Sequence, residues 1–243
     1  APSLARQSAI AASAVPGVAC KPTGSDHLLF LCGMIHRLAS RAHQERQGSQ
    51  GFLQRGAAAI DLEKCFFIQL GDWTVENGML VAKNKETVWT KKSYANFILD
   101  LEFKVAKESN SGVFLRSGDT KSVLAALEIQ VHENQDSAHY GMVGAIYNAQ
   151  PPTKPMAKPV GEWNRFTITC QDSRVSLVFN GEEVWNVDLN NWQEPKKNPD
   201  GTPNKFAKAL KDFSRNGPLG LQGLHGKAQA PVWYRNIRIK ELK

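Results

Sequence analysis

Residues 63–243 predict an all-β protein, an antiparallel β-sandwich with one short helix. Three observations lead there. Short runs alternate apolar and polar residues, turn pairs punctuate those runs, and a single segment has helical spacing. The alternation does not choose among immunoglobulin-like, jelly-roll and lectin-like sandwiches.

The strands follow in order. "WTVENGMLVA" (73–82) reads as a hairpin with Asn77-Gly78 at its tip, since Asn-Gly accepts the positive φ angles of a type I′ turn. "NFILDLEFKVA" (96–106) puts Phe97, Leu99, Leu101 and Phe103 on one face and Ile98, Asp100, Glu102 and Lys104 on the other. "SGVFLRS" (111–117) and "ALEIQVH" (126–132) are the next strands. "WNRFTITCQDSRVSLVFNGEEVWNVDL" (163–189) divides into three, with turns at Asp172-Ser173 and Asn180-Gly181. In "NKFAKALKDF" (204–213), Phe206, Leu210 and Phe213 stand at helical spacing and predict the one helix. "LGLQG" and "VWYRNIRIKEL" close the sheet pattern.

Residues 1–62 have another texture. They are rich in Ala, Ser, Gln, Arg and Gly and show no strand alternation, so an N-terminal extension, disordered or weakly helical, is expected there. The formal charge of +7 is uneven: residues 1–60 hold six Lys or Arg against two Asp or Glu, and the remainder holds 24 against 21. The nearly balanced body lacks the clustered basic face of a nucleic-acid binder. Lys91-Lys92 and Lys196-Lys197 read as solvated loop charges. No apolar run reaches the roughly 20 residues of a membrane-spanning helix, and no clear signal peptide is read in the chain. Cys20, Cys32, Cys65 and Cys170 form no C-x-x-C pair and no zinc spacing with histidine.

The polar faces carry the candidate chemistry. Glu128, Gln130 and His132 share one parity of a strand, with Leu127, Ile129 and Val131 on the other. A carboxylate beside an amide suits a sugar hydroxyl or an acid/base pair with an orienting neighbour. A solvent-facing sheet shows the same alternation, so pattern alone leaves both readings open. Asn110 and Arg116 flank a second strand, with Phe114 on Arg116's side by parity, and Glu102 lies on a third. His132 and His139 flank "HENQDSAH" without metal spacing and read as loop histidines. Trp73, Trp163 and Trp233 suit sugar stacking as well as core packing. There is no G-x-S-x-G elbow and no phosphate-binding glycine loop. His225, in "LQGLHG", interrupts a strand pattern between Gly223 and Gly226, where backbone can approach a ligand closely.

The ordered set "GDWTVENGMLVA", "YANFILDLEFKV", "NSGVFLRS", "LEIQV", "GAIYNAQPP", "PVGEWNRFTITCQDSRVSLVFNGEEV" and "GPLGLQGLHG…PVWYRNIRIKEL" resembles the 3-keto-disaccharide hydrolase family, from about residue 66 to the end. The resemblance implies a concanavalin-like jelly roll that hydrolyses or eliminates glycosidic bonds in 3-keto sugars, exported by a bacterium to the periplasm or beyond. It implies Glu128, His225 and Arg116 as catalytic residues and Asn110, Gln130, Glu102 and Gln222 as substrate contacts. Two departures stand out. The family's usual "LFNGKDLSGW" opening strand has no counterpart, and its LQ-x-HG motif carries one extra residue here. The acidic residue often found after the Glu-x-Gln strand corresponds to Glu133 or Asp136.

A C3 ketone acidifies the hydrogen on C2, so such a site needs a base there, a partner for the enediolate oxygen and an acid for the leaving group. Glu128 or His225 is expected as the base, with the other as the acid, and Arg116 with Asn110 as the oxyanion partner. The sequence leaves the cofactor open: a divalent cation held by Glu128 and His225 is the alternative to Arg116. A non-catalytic carbohydrate-binding module on the same fold is the rival reading.

Overall fold

The computed structural model describes residues 58–59, 73–133, 139–228 and 230–243, all within the compact unit Ser49–Lys243. Expectations for residues 1–57, and for Cys65 and Asp136, lie outside the described residues.

Among the described residues twelve strands form two antiparallel sheets: β1 (Ala58–Ala59), β2 (Trp73–Glu76), β3 (Met79–Ala82), β4 (Val88–Tyr94), β5 (Phe97–Val105), β6 (Asn110–Leu115), β7 (Leu127–His132), β8 (Asn164–Gln171), β9 (Arg174–Phe179), β10 (Glu182–Asp188), β11 (Gly217–Leu221) and β12 (Val232–Glu241). The larger sheet runs β10-β9-β8-β5-β12-β3-β2, with β1 also pairing with β12; the smaller runs β4-β11-β6-β7. β1 thus joins the sheet upstream of residue 63.

The inward parities interdigitate. Phe97, Leu99, Leu101 and Phe103 of β5 meet Phe166, Ile168 and Cys170 of β8 and Leu177 and Phe179 of β9, and all are at most 2% exposed. Phe166 packs on Phe103 and Phe179 with ring centroids 4.6 and 4.8 Å apart. Burying each such ring contributes about 1.5–3 kcal/mol. Val113, Leu115, Leu127, Ile129, Val131, Leu219 and Leu221 supply the facing layer from the smaller sheet. The turns expected at Asn77-Gly78 and Asn180-Gly181 have positive φ at both residues, as a type I′ turn requires.

Two segments differ from the sequence expectation. β4, "VWTKKSY", matches no strand read from the sequence, and Lys91-Lys92 lie exposed on it rather than in a loop; its alternation is broken where the register with β11 shifts between Gly220 and Pro218. The 204–213 segment buries Phe206, Leu210 and Phe213 as its spacing suggests, but not on a helix. Ala209 is extended, and only Leu210–Asp212 closes a single 3₁₀ turn. Among the described residues no helix is long and apolar enough to cross a membrane.

Arg116 follows the last residue of β6 with φ 50°, a left-handed conformation that breaks the strand's parity. Its side chain therefore leaves the face occupied by Phe114. It is 2% exposed, and its guanidinium donates to Ala95 O at 2.6 Å, Asp172 O at 2.7 Å and Asn96 Oδ1 at 3.2 Å. It ties the smaller sheet to the β4–β5 and β8–β9 turns. Arg116→Leu would take these donors from Ala95 O and Asp172 O, leaving Asn96 Oδ1 with the Asp172 N–H alone, and is expected to cost about 3 kcal/mol or more. In a domain of this size that lowers the thermal midpoint by roughly 6 °C or more, which thermal denaturation followed by circular dichroism would check.

Candidate functional site

The outer face of the smaller sheet is set by strand register. Trp89, Gly220, Phe114 and Glu128 lie opposite one another across β4, β11, β6 and β7, forming one row. In the next row Gly112 lies opposite Gln130, and Gln222 donates its backbone N–H to Gly112 O at 2.8 Å. In the third, Asn110 faces His132, and the backbone N–H of His225 donates to Asn110 O at 3.0 Å.

Two glycines shape this face. A Cβ on Gly220 would sit 2.6 Å from the Trp89 ring, and one on Gly112 would sit 2.9 Å from Glu128 Oε1 and 3.0 Å from its Cγ. Trp89 therefore lies over Gly220, stacked on Phe114 at 5.5 Å, and Glu128 folds over Gly112. The rows grade from an aromatic floor to a carboxylate and then to amides.

Glu128 is 6% exposed. A carboxylate that deep is stable only with a cation and hydrogen bonds beside it. Lys205 supplies the cation: its Nζ donates to Glu128 Oε2 at 2.8 Å. The same Nζ stands 4.3 Å from the Tyr147 ring centroid, a cation–π contact that holds it over the face. Tyr147 is placed by the segment that covers the free edge of β7. There Gly144 N donates to Gln130 O, Gln130 N to Ala145 O, and Tyr147 N to Glu128 O at 2.8–3.0 Å.

The Lys205 loop is itself pinned. Lys196 N donates to Phe206 O and Asn204 N to Lys196 O. The Asn198 carbonyl accepts from Trp192 Nε1 and Asn204 Nδ2, each at 3.0 Å, and its amide donates to Asn148 O. Tyr140 donates to Asp200, whose carboxyl is held down to about 2 by hydrogen bonds from Thr202 first and Tyr140 second. Phe206, 1% exposed, anchors the end of the loop in the core.

The amides are arranged for a ligand. Gln130 Nε2 donates to Asn110 Oδ1 at 3.1 Å. Gln222 is 5% exposed, and its side-chain oxygen is buried without a hydrogen-bond partner among the described residues. An unpaired buried acceptor costs about 1–3 kcal/mol, a cost that a hydroxyl donor would relieve. Its backbone is fixed from beneath. Tyr234 OH lies 2.8 Å from Ser111 Oγ, and Ser111 Oγ donates to Gln222 O at 2.5 Å. Gly223, beyond the end of β11, lies where a Cβ would collide with the backbone of Asn84, Lys85 and Glu86, and His225 follows, exposed, on the loop.

Five sequence candidates thus meet at one face: Glu128, Gln130, Asn110, Gln222 and, through its backbone, His225. Two do not. Arg116 is turned away by its left-handed backbone and is occupied between the sheets. Glu102 is on β5 of the larger sheet, whose outer face is across the core from Glu128. There it accepts from Arg235 Nε at 2.6 Å, and the Arg235 guanidinium lies 3.8 Å over the Trp163 ring. Trp163 and Trp233 flank Lys104 on that same surface, and Trp73 is core. His132 is half-buried, and burial lowers its pKa, with Glu133 opposing. Among the described residues no three His, Cys, Asp or Glu side chains group as a metal ligand set. Lys205 and Tyr147 escaped the sequence reading: the first stands in the stretch with helical spacing, the second in "GAIYNAQPP" outside any strand pattern.

The family described as the 3-keto-alpha-glucoside-1,2-lyase-like domain matches residues 51–240. The chain belongs to this family. A 3-keto-disaccharide hydrolase from Bacteroides thetaiotaomicron is 26% identical over 204 residues, 70% of each chain. Among solved structures, a candidate glycosyl hydrolase from Parabacteroides distasonis superposes on this lyase-like domain with a TM-score of 0.71 at 34% identity, covering 75% of this chain and 95% of that one. Another from the same organism, at 22% identity and a TM-score of 0.58, shares the fold, covering 72% of this chain and 86% of its own.

The packing of Glu128 over Gly112 is testable apart from function. Gly112→Ala should cost about 1–3 kcal/mol by overpacking, and nearly nothing in a Glu128→Ala background. A double-mutant cycle by chemical denaturation measures that coupling; equal costs in both backgrounds would show that the carboxylate does not occupy this space.

Proposed function

We propose that this lyase-like domain cleaves the glycosidic bond of 3-keto sugars on the outer face of its smaller sheet. The observation that carries this is a buried carboxylate, Glu128, beside amides that include an unpartnered acceptor, in a chain of this family. Glu128 removes the proton on C2, which the C3 ketone makes acidic. The enediolate then expels the C1 substituent, and water adds back across C1 and C2. Gln222, Gln130 and Asn110 hold ring hydroxyls, the first through its orphan oxygen. His225, on the loop beside Asn110, gives a proton to the leaving oxygen. This differs from ordinary glycoside hydrolysis, where two carboxylates flank the scissile bond at a set separation.

The relatives in Bacteroides thetaiotaomicron and Parabacteroides distasonis support a bacterial origin, and a glycan-degrading role fits export to the periplasm or beyond. The substrate is a 3-keto-glucoside or 3-keto-disaccharide.

The test is turnover of a 3-keto-glucoside followed by release of its aglycone. Glu128→Gln should reduce kcat by about a thousandfold, and His225→Ala by about a hundredfold, with both proteins folded. A wild-type protein that binds the unoxidised glucoside but leaves the 3-keto-glucoside intact would instead be a carbohydrate-binding module.

A further inference from the structure

We propose that Lys205 is a catalytic residue: its ammonium passes from the Glu128 carboxylate to the oxygen on C3 as that oxygen becomes the enediolate oxyanion. The proposal rests on the reading above and deepens it.

The chemistry leaves one role without a residue. A ketone that loses its C2 proton places negative charge on the C3 oxygen, and a donor must meet it there. Arg116 is committed to Ala95 O, Asp172 O and Asn96 Oδ1. Among the described residues, the cation paired with Glu128 is Lys205, its Nζ 2.8 Å from Oε2 of the carboxylate that takes the proton.

Charge conservation in the buried site argues for the same group. Before reaction the pair is one carboxylate and one ammonium, with side chains 7% and 23% exposed. When Glu128 takes the C2 proton it becomes neutral, and its hold on Lys205 weakens. At that moment the electron pair of the C2–H bond has become the C2=C3 bond and the C3 carbonyl pair has become an alkoxide. One anion has moved a short distance, and one cation can follow it, so no uncompensated charge is left in the site. The ammonium has three donors on a flexible stem and so can keep one on Glu128 while another turns to the substrate. Tyr147, 4.3 Å away, and Phe206, 5.5 Å away, present ring faces to Nζ and retain it over the sheet during that turn.

Expulsion closes the balance. The alkoxide pair re-forms the C3 carbonyl, the C2=C3 pair moves to C1=C2, and the C1–O bond breaks with its electrons on the leaving oxygen, which takes up a proton. Lys205 is then free to return to Glu128 once the carboxyl gives its proton to C2 during addition of water.

The loop fits such a role better than a purely structural one. A neutral side chain at position 128 would need no cation. Instead Asn204, held by Asn198, fixes the backbone on both sides of Lys205, its Oδ1 accepting from Phe206 N, and among the described residues the ammonium's hydrogen bond goes to Glu128.

Two 3-keto-glucosides, one with an alkyl and one with a 4-nitrophenyl leaving group, separate the outcomes. With wild-type protein cleaving both, Lys205→Met is expected to lose about a hundredfold or more in kcat on each, with KM within about threefold. Lys205→Gln, which keeps a neutral donor beside Glu128 and guards against misfolding, should show the same pattern. Lys205→Arg, which keeps the cation, should recover at least about tenfold over Lys205→Met. A near-wild-type kcat in folded Met or Gln variants overturns the proposal. So does a loss confined to the alkyl substrate, since that would make Lys205 the acid for the leaving oxygen. If wild-type protein cleaves neither substrate, the functional reading itself fails.

Discussion

A buried carboxylate at Glu128 is the constraint around which this domain is organised. Water is nearly excluded from it, so an ammonium must stand beside it or the charge would not be tolerated. That requirement explains features with no other evident purpose. The 196–206 loop is held by its own backbone pairs and by the Asn198 side chain, and its end is anchored by Phe206. The segment that covers the edge of β7 delivers Tyr147 beneath the ammonium. Both excursions leave the sandwich, and both converge on one side chain.

The second constraint is space. Across four strands the outer face of the smaller sheet carries glycine at two of the central positions, and each glycine is filled by a neighbour's side chain: Trp89 over Gly220 and Glu128 over Gly112. Gln222 and Gln130 flank Gly112, and the unsatisfied oxygen of Gln222 is retained on a backbone fastened through Ser111 to Tyr234. A polar atom kept buried and unpaired is costly, and a donor on a ligand would relieve that cost. On the proposed reading the carboxylate is the base, the ammonium is the cation that follows the charge, and the amides hold the sugar hydroxyls.

Much of this was legible in the sequence, and the failures have physical causes. Period-two alternation placed Glu128 and Gln130 opposite the core layer of Leu127, Ile129 and Val131, because β7 is regular. The same rule misplaced Arg116, because one left-handed residue at the end of β6 reverses the direction of the side chain. Glu102 has the same alternation as Glu128, but alternation says which face of a strand is polar, not which sheet the strand joins. Its partner β12 comes from more than 120 residues away in sequence, as the Arg235–Glu102 pair shows. Lys205 was hidden because burial of Phe206, Leu210 and Phe213 mimics a helical stripe in a chain that is mostly extended. The family likeness pointed to this candidate face; the Glu128–Lys205 ion pair on it came only with the fold.

Exchange of the C2 proton tests the central claim most directly, that Glu128 acts as a base at C2. A 3-keto sugar lacking a leaving group at C1 can undergo deprotonation but not cleavage. In deuterium oxide, proton magnetic resonance would follow loss of its C2 signal. The account predicts that wild-type protein accelerates this exchange well above the buffer rate and that Glu128→Gln does not. Exchange at the buffer rate, from a preparation that cleaves 3-keto-glucosides, would contradict it.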